Sequence, residues 1–416
     1  MPDLILYTES FPFNRGETFL ETELRYLSDV FDTITIQPLS GKGVKREVPD
    51  NVSIMDPIGI ENCSKLKMYM TGVYNIKTLL TEKTIRNNPG SVSLLKAIKY
   101  IGLGFWTKDK ISINVLLKEA VHYSYWLNYS AFALALLTME KKIPFFVSRA
   151  HRYDLYMGQG ESALDFIKKF TIENLDKLFL ISEHGLSYAS NLFSEYSGKF
   201  QLSRLGTQNH RFEGPINKSD KLIIVSCSNL KPVKRVGLIL EALICLGDLH
   251  PDLEVDWFHF GDGELLEPFS RKAHEKTSNN LVKCNFKRSF SNKEVFEFYQ
   301  NQAVDIFINV SETEGIPVSI MEAQSFGIPV LATATGGTPE IVKNENGLLI
   351  DVSITPEELA NVIYRIYLNR ADWNKKRIIA QENWALKFNA GNNYRLFALD
   401  LKDSYLKSRA RNSSII

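Results

Sequence analysis

The chain has 416 residues, 49 Lys and Arg against 48 Asp and Glu, and 44% hydrophobic residues. That length holds two or three domains with a core each, and a net charge of +1 carries no global attraction to nucleic acid. The four cysteines (Cys63, Cys227, Cys245, Cys284) have no metal-ligand spacing, no apolar run reaches the roughly 18 residues of a membrane span, and the N-terminus has no leader pattern. Free thiols and a cytoplasmic setting are expected, with room for one face on a membrane.

In chain order, Leu4 to Tyr7 reads as a strand, Glu9 to Glu17 as a loop holding Pro12 and Gly16, and Thr18 with Glu21 as a capping box opening a helix to about Val30. Thr33 to Gln37 alternates as a second strand, so the chain opens β–loop–α–β, as a mononucleotide-binding domain does. Residues 58–120 differ: ten Lys or Arg face four acids, a surplus of +6 with aromatics interleaved. Lys65 to Leu80 and Ser93 to Leu103 have amphipathic helical spacing there. Basic helices of this kind suit an anionic membrane surface, and equally a solvated helical insertion whose aromatics pack on the domain.

Val115 to Lys141 reads as largely helical, with His122 packed in the core. Pro144 to Ser148 is a strand, and Arg149-Ala150-His151-Arg152-Tyr153-Asp154 leaves its C-terminal end, the edge where open α/β sheets bind ligands. Lys177 to Ser182 and Phe200 to Leu205 are further strands flanking a helix from Glu183, and His184 has no motif support. Residues 1–206 form the first domain, with 58–120 as its insertion, and 207–221 form a linker.

The second domain, 222–385, opens with the strand Leu222 to Cys227, a loop holding Asn229, Lys234 and Arg235, and an apolar-faced helix from Val236. Val255 to Phe260 leads into Gly261-Asp262-Gly263. Asn285 to Phe290, with Arg288, precedes a helix capped by Ser291. Asp305 to Val310 is a buried strand, Gly315 frees the loop after it, Pro317 suits the first helical position, and Gly327 ends the helix at about Phe326. Amides of Gly315, Ile316 and Val318 at a helix N-terminus attract phosphate-like oxygens. Glu314 and Glu322 flank them, and Glu340 follows Gly336-Gly337 at the next strand–helix junction. A nucleotide-sugar matches that composition, with a diphosphate for the amides and hydroxyls for the carboxylates. Helices from Pro356 and Asp372 follow, then a last helix from about Asn392 within 386–416.

Glu314-Gly-Ile-Pro-Val-Ser-Ile-Met-Glu322 followed by Gly-Gly-Thr-Pro-Glu340 closely resembles the signature of retaining glycosyltransferase family 4. The resemblance implies an α/β protein of GT-B fold, two Rossmann-like domains facing across a cleft, with the C-terminal helix crossing back onto the first and Trp384 and Phe388 packing that crossing. It implies a retaining glycosyltransferase of bacterial surface polysaccharide biosynthesis, using a nucleotide-sugar donor and a glycan or lipid-linked acceptor. Lys234 matches a diphosphate-binding lysine. Asn229 stands where the family has an arginine, leaving Lys234, with Arg235 or Lys231, to meet the phosphate charge. Glu322 takes the ribose, Glu314 the sugar near the reacting carbon, and His151 contacts the sugar from the first domain. Asp154 is a loop-holding residue. Arg288, Gly315, Ile316, Pro317, Val318 and Glu340 complete the donor set. Gly16 belongs to it more weakly, since its loop lacks the family's second glycine. No Asp-x-Asp is present, so no metal or cofactor is expected. A GT-B sugar-nucleotide epimerase and a non-catalytic partner subunit stay open as alternatives.

Overall fold

A computed structural model describes residues 2–13, 16–79, 91–111, 119–156, 162–208, 214–277, 281–288 and 290–413. Its contacts divide the chain into two units, residues 1–204 with 392–416, and residues 205–391.

The first unit runs β1 (Asp3–Thr8), α1 (Phe19–Ser28), β2 (Ile34–Pro38), β3 (Val52–Ile54), α2 (Lys65–Leu79), α3 (Ser91–Lys110), β4 (Ala120–Ser124), α4 (Tyr129–Met139), β5 (Phe146–Ala150), α5 (Arg152–Leu155), α6 (Ser162–Asn174), β6 (Lys177–Leu180), α7 (Glu183–Leu192) and β7 (Phe200–Leu202). Its parallel sheet has the order β3-β2-β1-β4-β5-β6-β7. Side chains alternate across a strand, so β1 serves two cores. Leu4 and Leu6 join one with Leu20, Leu24 and Leu27 of α1. Ile5 and Tyr7 join the other with α4.

The second unit runs β8 (Leu222–Cys227), α8 (Val236–Leu249), β9 (Val255–Phe260), α9 (Leu266–Thr277), β10 (Val282–Lys287), α10 (Asn292–Asn301), β11 (Ile306–Asn309), α11 (Val318–Ser325), β12 (Val330–Thr333), α12 (Thr338–Ile341), β13 (Gly347–Ile350), α13 (Pro356–Leu368) and α14 (Arg370–Lys387). Its order is β10-β9-β8-β11-β12-β13, again parallel throughout. The stretch expected as a linker packs into this unit: Thr207 pairs with Asn389, and Trp384 Nε1 donates to Thr207 Oγ1 at 2.7 Å. Phe388 is buried in the same place, its carbonyl accepting the Thr207 N–H at 2.9 Å. The last helix, α15 (Ala390–Ser413), buries Phe397, Leu401 and Tyr405 in the core beside α1.

Three expectations need correction. The stretch from Val115 holds a strand as well as a helix: β4 lies between β1 and β5, and α4 begins only after Asn128, whose side chain accepts the Ser130 N–H at 2.9 Å. A strand buried on both faces shows no alternation, which hid it. Residues 112–118 of that stretch lie outside the described residues. His122 is packed as expected, but in that strand; it bonds the Tyr7 hydroxyl at 2.9 Å, and burial lowers its imidazole to about 3. The capping box does not form. Thr18 is itself helical, with φ −58° and ψ −31°, and Glu21 pairs with Arg46 at 2.9 Å. Pro317 is the residue before α11, with extended ψ of 110°, rather than its first residue.

The insertion is a helical pair, α2 against α3. A Cβ on Gly72 would lie 2.0 Å from the Ile98 carbonyl oxygen, and one on Gly102 1.9 Å from that of Met68, so only glycine permits this approach. The aromatics divide: Tyr100 and Trp106 of α3 are buried, whereas Tyr74 of α2 is exposed.

The core beside α1 holds one fully buried ion pair, Arg149 Nη1 to Glu23 Oε2 at 2.5 Å. Tyr123 donates to the same carboxylate at 3.0 Å, and the guanidinium lies 4.0 Å from the Phe397 ring centroid. Removing one member of such a pair leaves a buried charge uncompensated. Glu23→Ala should cost about 3–5 kcal/mol, read as an earlier urea midpoint for the first domain's transition.

Candidate active site

In the second unit, three loops leave the C-terminal ends of β8, β11 and β12. Lys234 ends the first loop, and its Nζ contacts Glu314 Oε1 in the second at 2.6 Å. Backbone joins the same loops, Glu312 N–H donating to the Val233 carbonyl at 2.9 Å. The third loop clamps the second: Gly337 N–H reaches the Gly315 carbonyl at 2.8 Å, and Thr333 Oγ1 the Ser311 carbonyl at 2.6 Å. Gly336 has φ +52°, and a Cβ there would stand 1.8 Å from the Glu314 carbonyl oxygen. Glycine is therefore required twice over, by conformation and by space.

These loops gather most of the expected donor residues. Glu314, Gly315, Ile316 and Pro317 are buried, and Val318 opens α11, whose first N–H groups have no acceptor within the helix. Asn309 also approaches Glu314, at 3.4 Å. Glu322, one turn into α11, keeps part of its surface exposed, yet its carboxyl is crowded, with the Cys227 thiol and the Tyr299 hydroxyl close enough to feel its charge. Burial raises its carboxyl from the ordinary 4.5 to about 8. Glu340 sits on α12, behind the Gly336-Gly337 turn.

The other assignments fare differently. Asn229 is exposed on the first loop. Arg235 has φ +50° and donates to the carbonyls of Val352 at 2.5 Å and Ile354 at 3.4 Å, so its guanidinium ties loops together instead of standing beside Lys234. Arg288 is exposed after β10 and pairs with Glu267.

In the first unit, His151 precedes α5 and is 6% exposed. Its ring lies 4.4 Å from Trp126 and 4.7 Å from Tyr125, centroid to centroid, and neither ring nitrogen has a hydrogen-bond partner. The Asp154 carboxylate stands 3.9 Å from its Nδ1, beyond hydrogen-bond distance. Asp154 holds the loop as expected, accepting the N–H groups of His151 at 2.6 Å and Leu127 at 2.7 Å. Gly16 is exposed, its carbonyl accepting from Arg46. Glu17, which the sequence did not single out, organises this loop. With φ +54°, it accepts from the backbone N–H groups of Glu9, Ser10 and Phe11 at 2.7–3.0 Å and from Trp126 Nε1 at 2.6 Å.

Residues 207–383 match the family model described as glycosyl transferases group 1. The second domain belongs to the group 1 glycosyl transferases. Among curated relatives, the chain is 26% identical over 211 residues to the amylovoran biosynthesis glycosyltransferase AmsK of Erwinia amylovora, covering 48% of this chain and 50% of that protein. It is 35% identical over 94 residues to an Escherichia coli enzyme named UDP-Gal:alpha-D-GlcNAc-diphosphoundecaprenol alpha-1,3-galactosyltransferase, covering 22% of this chain and 23% of that one. The chain thus spans half or less of the length of these relatives. Anabaena HepE, solved with UDP and glucose, shares the fold with a TM-score of 0.64 at 14% identity, over 97% of this chain and 100% of HepE. Two parallel-sheet, Rossmann-like units and these likenesses make the fold GT-B.

In this group 1 glycosyl transferase domain, the raised Glu322 carboxyl has a consequence for stability. A folded-state value above the unfolded one favours folding at low pH, and that contribution disappears as pH rises through about 8. Glu322→Gln should therefore melt progressively higher than wild type between pH 4.5 and 8, with a constant difference above. Melting curves across that range check it, and a flat difference would mean that the carboxyl ionises normally.

Proposed function

We propose that the protein is a retaining glycosyltransferase that moves a sugar from a nucleoside-diphosphate donor to a glycan or lipid-linked acceptor in polysaccharide biosynthesis. The observation that carries this reading is the Lys234–Glu314 contact under an amide-lined helix start, with Glu322 one turn along the same helix. A diphosphate arriving there takes the Lys234 charge, and Glu314 is released to accept from sugar hydroxyls. Glu322 accepts from the ribose, and His151, with two unpartnered ring nitrogens, takes a sugar hydroxyl. Binding of UDP by HepE and the uridine donor in the galactosyltransferase's name make UDP-sugars the first donors to test. Names of relatives in amylovoran and lipid-diphosphate glycan synthesis support the acceptor class.

Breaking the anomeric C–O bond develops negative charge on the leaving diphosphate, so a fixed cation there acts mainly on the transition state. Asn229 offers a hydrogen bond but no charge. Lys234 and the loop amides take the role that a metal has elsewhere, and same-face attack by the acceptor retains the anomeric configuration.

We further propose that the insertion rests on an anionic lipid surface. On α2, Leu66, Met70, Val73 and Tyr74 are 57–83% exposed at helical spacing, forming an apolar ridge that is open among the described residues. Lys65 and Lys67 are exposed beside it, within the +6 stretch. Apolar residues entering the interface beneath basic ones is how amphipathic helices bind anionic membranes.

Lys234→Ala should lower turnover about 100-fold with a smaller change in donor KM, and EDTA should leave the wild type active. NMR of the product should show the donor's anomeric configuration. An inverted product would sink the retaining assignment, and donor rearranged without acceptor would point to an epimerase.

The protein should float with phosphatidylglycerol vesicles at low salt, and less at about 0.1 M, where screening acts within roughly 10 Å. Replacing Leu66 and Tyr74 by Ser should abolish flotation. Wild type that ignores vesicles but self-associates through α2 would assign the ridge to a second copy.

A further inference from the structure

The second unit holds a buried hydroxyl that takes no part in the donor contacts. Tyr299 of α10 is 0% exposed, and its hydroxyl has no hydrogen-bond partner among the described residues. Burial pushes that hydroxyl well above its ordinary range, so it keeps its proton and can donate. An unpaired buried donor is costly, and native interiors seldom keep one without a use.

Helix register aims the hydroxyl at Glu322. Asn292, Phe296 and Tyr299 share one face of α10, spaced i, i+4 and i+7, and that face meets α11. Asn292 Nδ2 approaches Glu322 Oε1 at 3.4 Å. The rings of Phe296 and Tyr299 lie 5.9 and 5.5 Å, centroid to centroid, from that of Phe326, one turn beyond Glu322. A helical side chain leans toward the N-terminus of its own helix, so Tyr299 reaches back from the level of Phe326 toward that of Asn292 and Glu322. The charge of Glu322 is felt both at this hydroxyl and at the thiol of Cys227, the last residue of β8.

A carboxylate has about four acceptor sites, and two ribose hydroxyls fill only the outer ones. In the free protein, burial keeps the Glu322 carboxyl protonated below about 8, and its long contact to the exposed Asn292 holds it loosely. Donors on both sides favour its charged form. Building on the assignment of Glu322 to the donor ribose, we propose that Tyr299 is a positioning residue: when a nucleoside diphosphate binds, its hydroxyl donates to the inner side of the Glu322 carboxylate and holds the outer side toward the 2′- and 3′-hydroxyls. The bond is made only with ligand in place, which is why the hydroxyl is idle without it.

Selectivity for the ribose hydroxyls tests this. The full chain is titrated calorimetrically with UDP, GDP and ADP, and the tightest of them is compared with its 2′,3′-dideoxy counterpart. Wild type should bind the ribose form at least about tenfold more tightly. Tyr299→Phe should lower that preference about tenfold, the scale of one hydrogen bond to a charged group, and leave the dideoxy affinity unchanged. Cys227→Ala should keep the preference. Without ligand, Tyr299→Phe should melt no lower than wild type, since nothing is bonded to the hydroxyl. A preference lost in Glu322→Ala but kept in Tyr299→Phe would overturn the proposal and leave the ribose assignment standing. Loss in Cys227→Ala instead would give the place to the thiol, and a lower melting temperature for unliganded Tyr299→Phe would mean that the hydroxyl already has a structural partner; either overturns it. A preference that survives Glu322→Ala, or binding by none of the three diphosphates, would overturn the assignment of Glu322 on which the proposal rests.

Discussion

One constraint orders both halves of this molecule: each strand pairing in the two sheets is parallel. A parallel sheet sends every strand end to one edge, so residues far apart in sequence meet there without any local motif. Glu9, Trp126 and Asp154 follow β1, β4 and β5 at one such edge. Lys234, Glu314 and Gly336 follow β8, β11 and β12 at the other. The Lys234–Glu314 contact spans 80 residues of chain yet only one strand of separation, because β8 and β11 are neighbours.

Buried acids at these edges have two employments. Some are stitched into backbone: Glu17 accepts three N–H groups and Asp154 two, all in the first unit. Such carboxylates hold loops in place and have little capacity left for ligands. Glu314 and Glu322 are different. Their partners are side chains, Lys234 and Asn292 at 3.4 Å, which can turn toward a substrate.

The same distinction explains what was legible in the sequence. The loops of the second unit could be read because glycine and proline punctuate them: Gly315, Pro317, Gly327 and Gly336 mark turns by their own backbone chemistry. Asp154 and His151 could be placed because they follow a strand with a recognisable segment. Glu17 could not, since its role arises from a positive φ and from Trp126, a residue 109 positions away. Arg235 misled for a related reason: its charge pointed to phosphate, but its left-handed backbone carries the side chain to the carbonyls of Val352 and Ile354. Strand β4 was hidden by its own burial. Of the two alternatives for the insertion, the packing of aromatics on the domain is seen in α3, whose Tyr100 and Trp106 are buried, whereas Tyr74 of α2 is exposed.

The first unit is discontinuous, and this bears on how the chain reaches its native state. Phe397, Leu401 and Tyr405 of α15 complete the core beneath α1, and Phe397 stacks under the guanidinium of the buried Arg149–Glu23 pair. Until those residues leave the ribosome, the sheet of the first 204 residues has one face covered only in part, by α1. Domains ordinarily fold in order of synthesis. Here the half begun first is the half finished last, so the intervening 187 residues of the second unit can be folded before the first is closed. The nascent chain leaves the apolar surface beside α1 open throughout that interval, the kind of surface that chaperones hold. Closure of the first unit thereby waits until the chain has been made through α15.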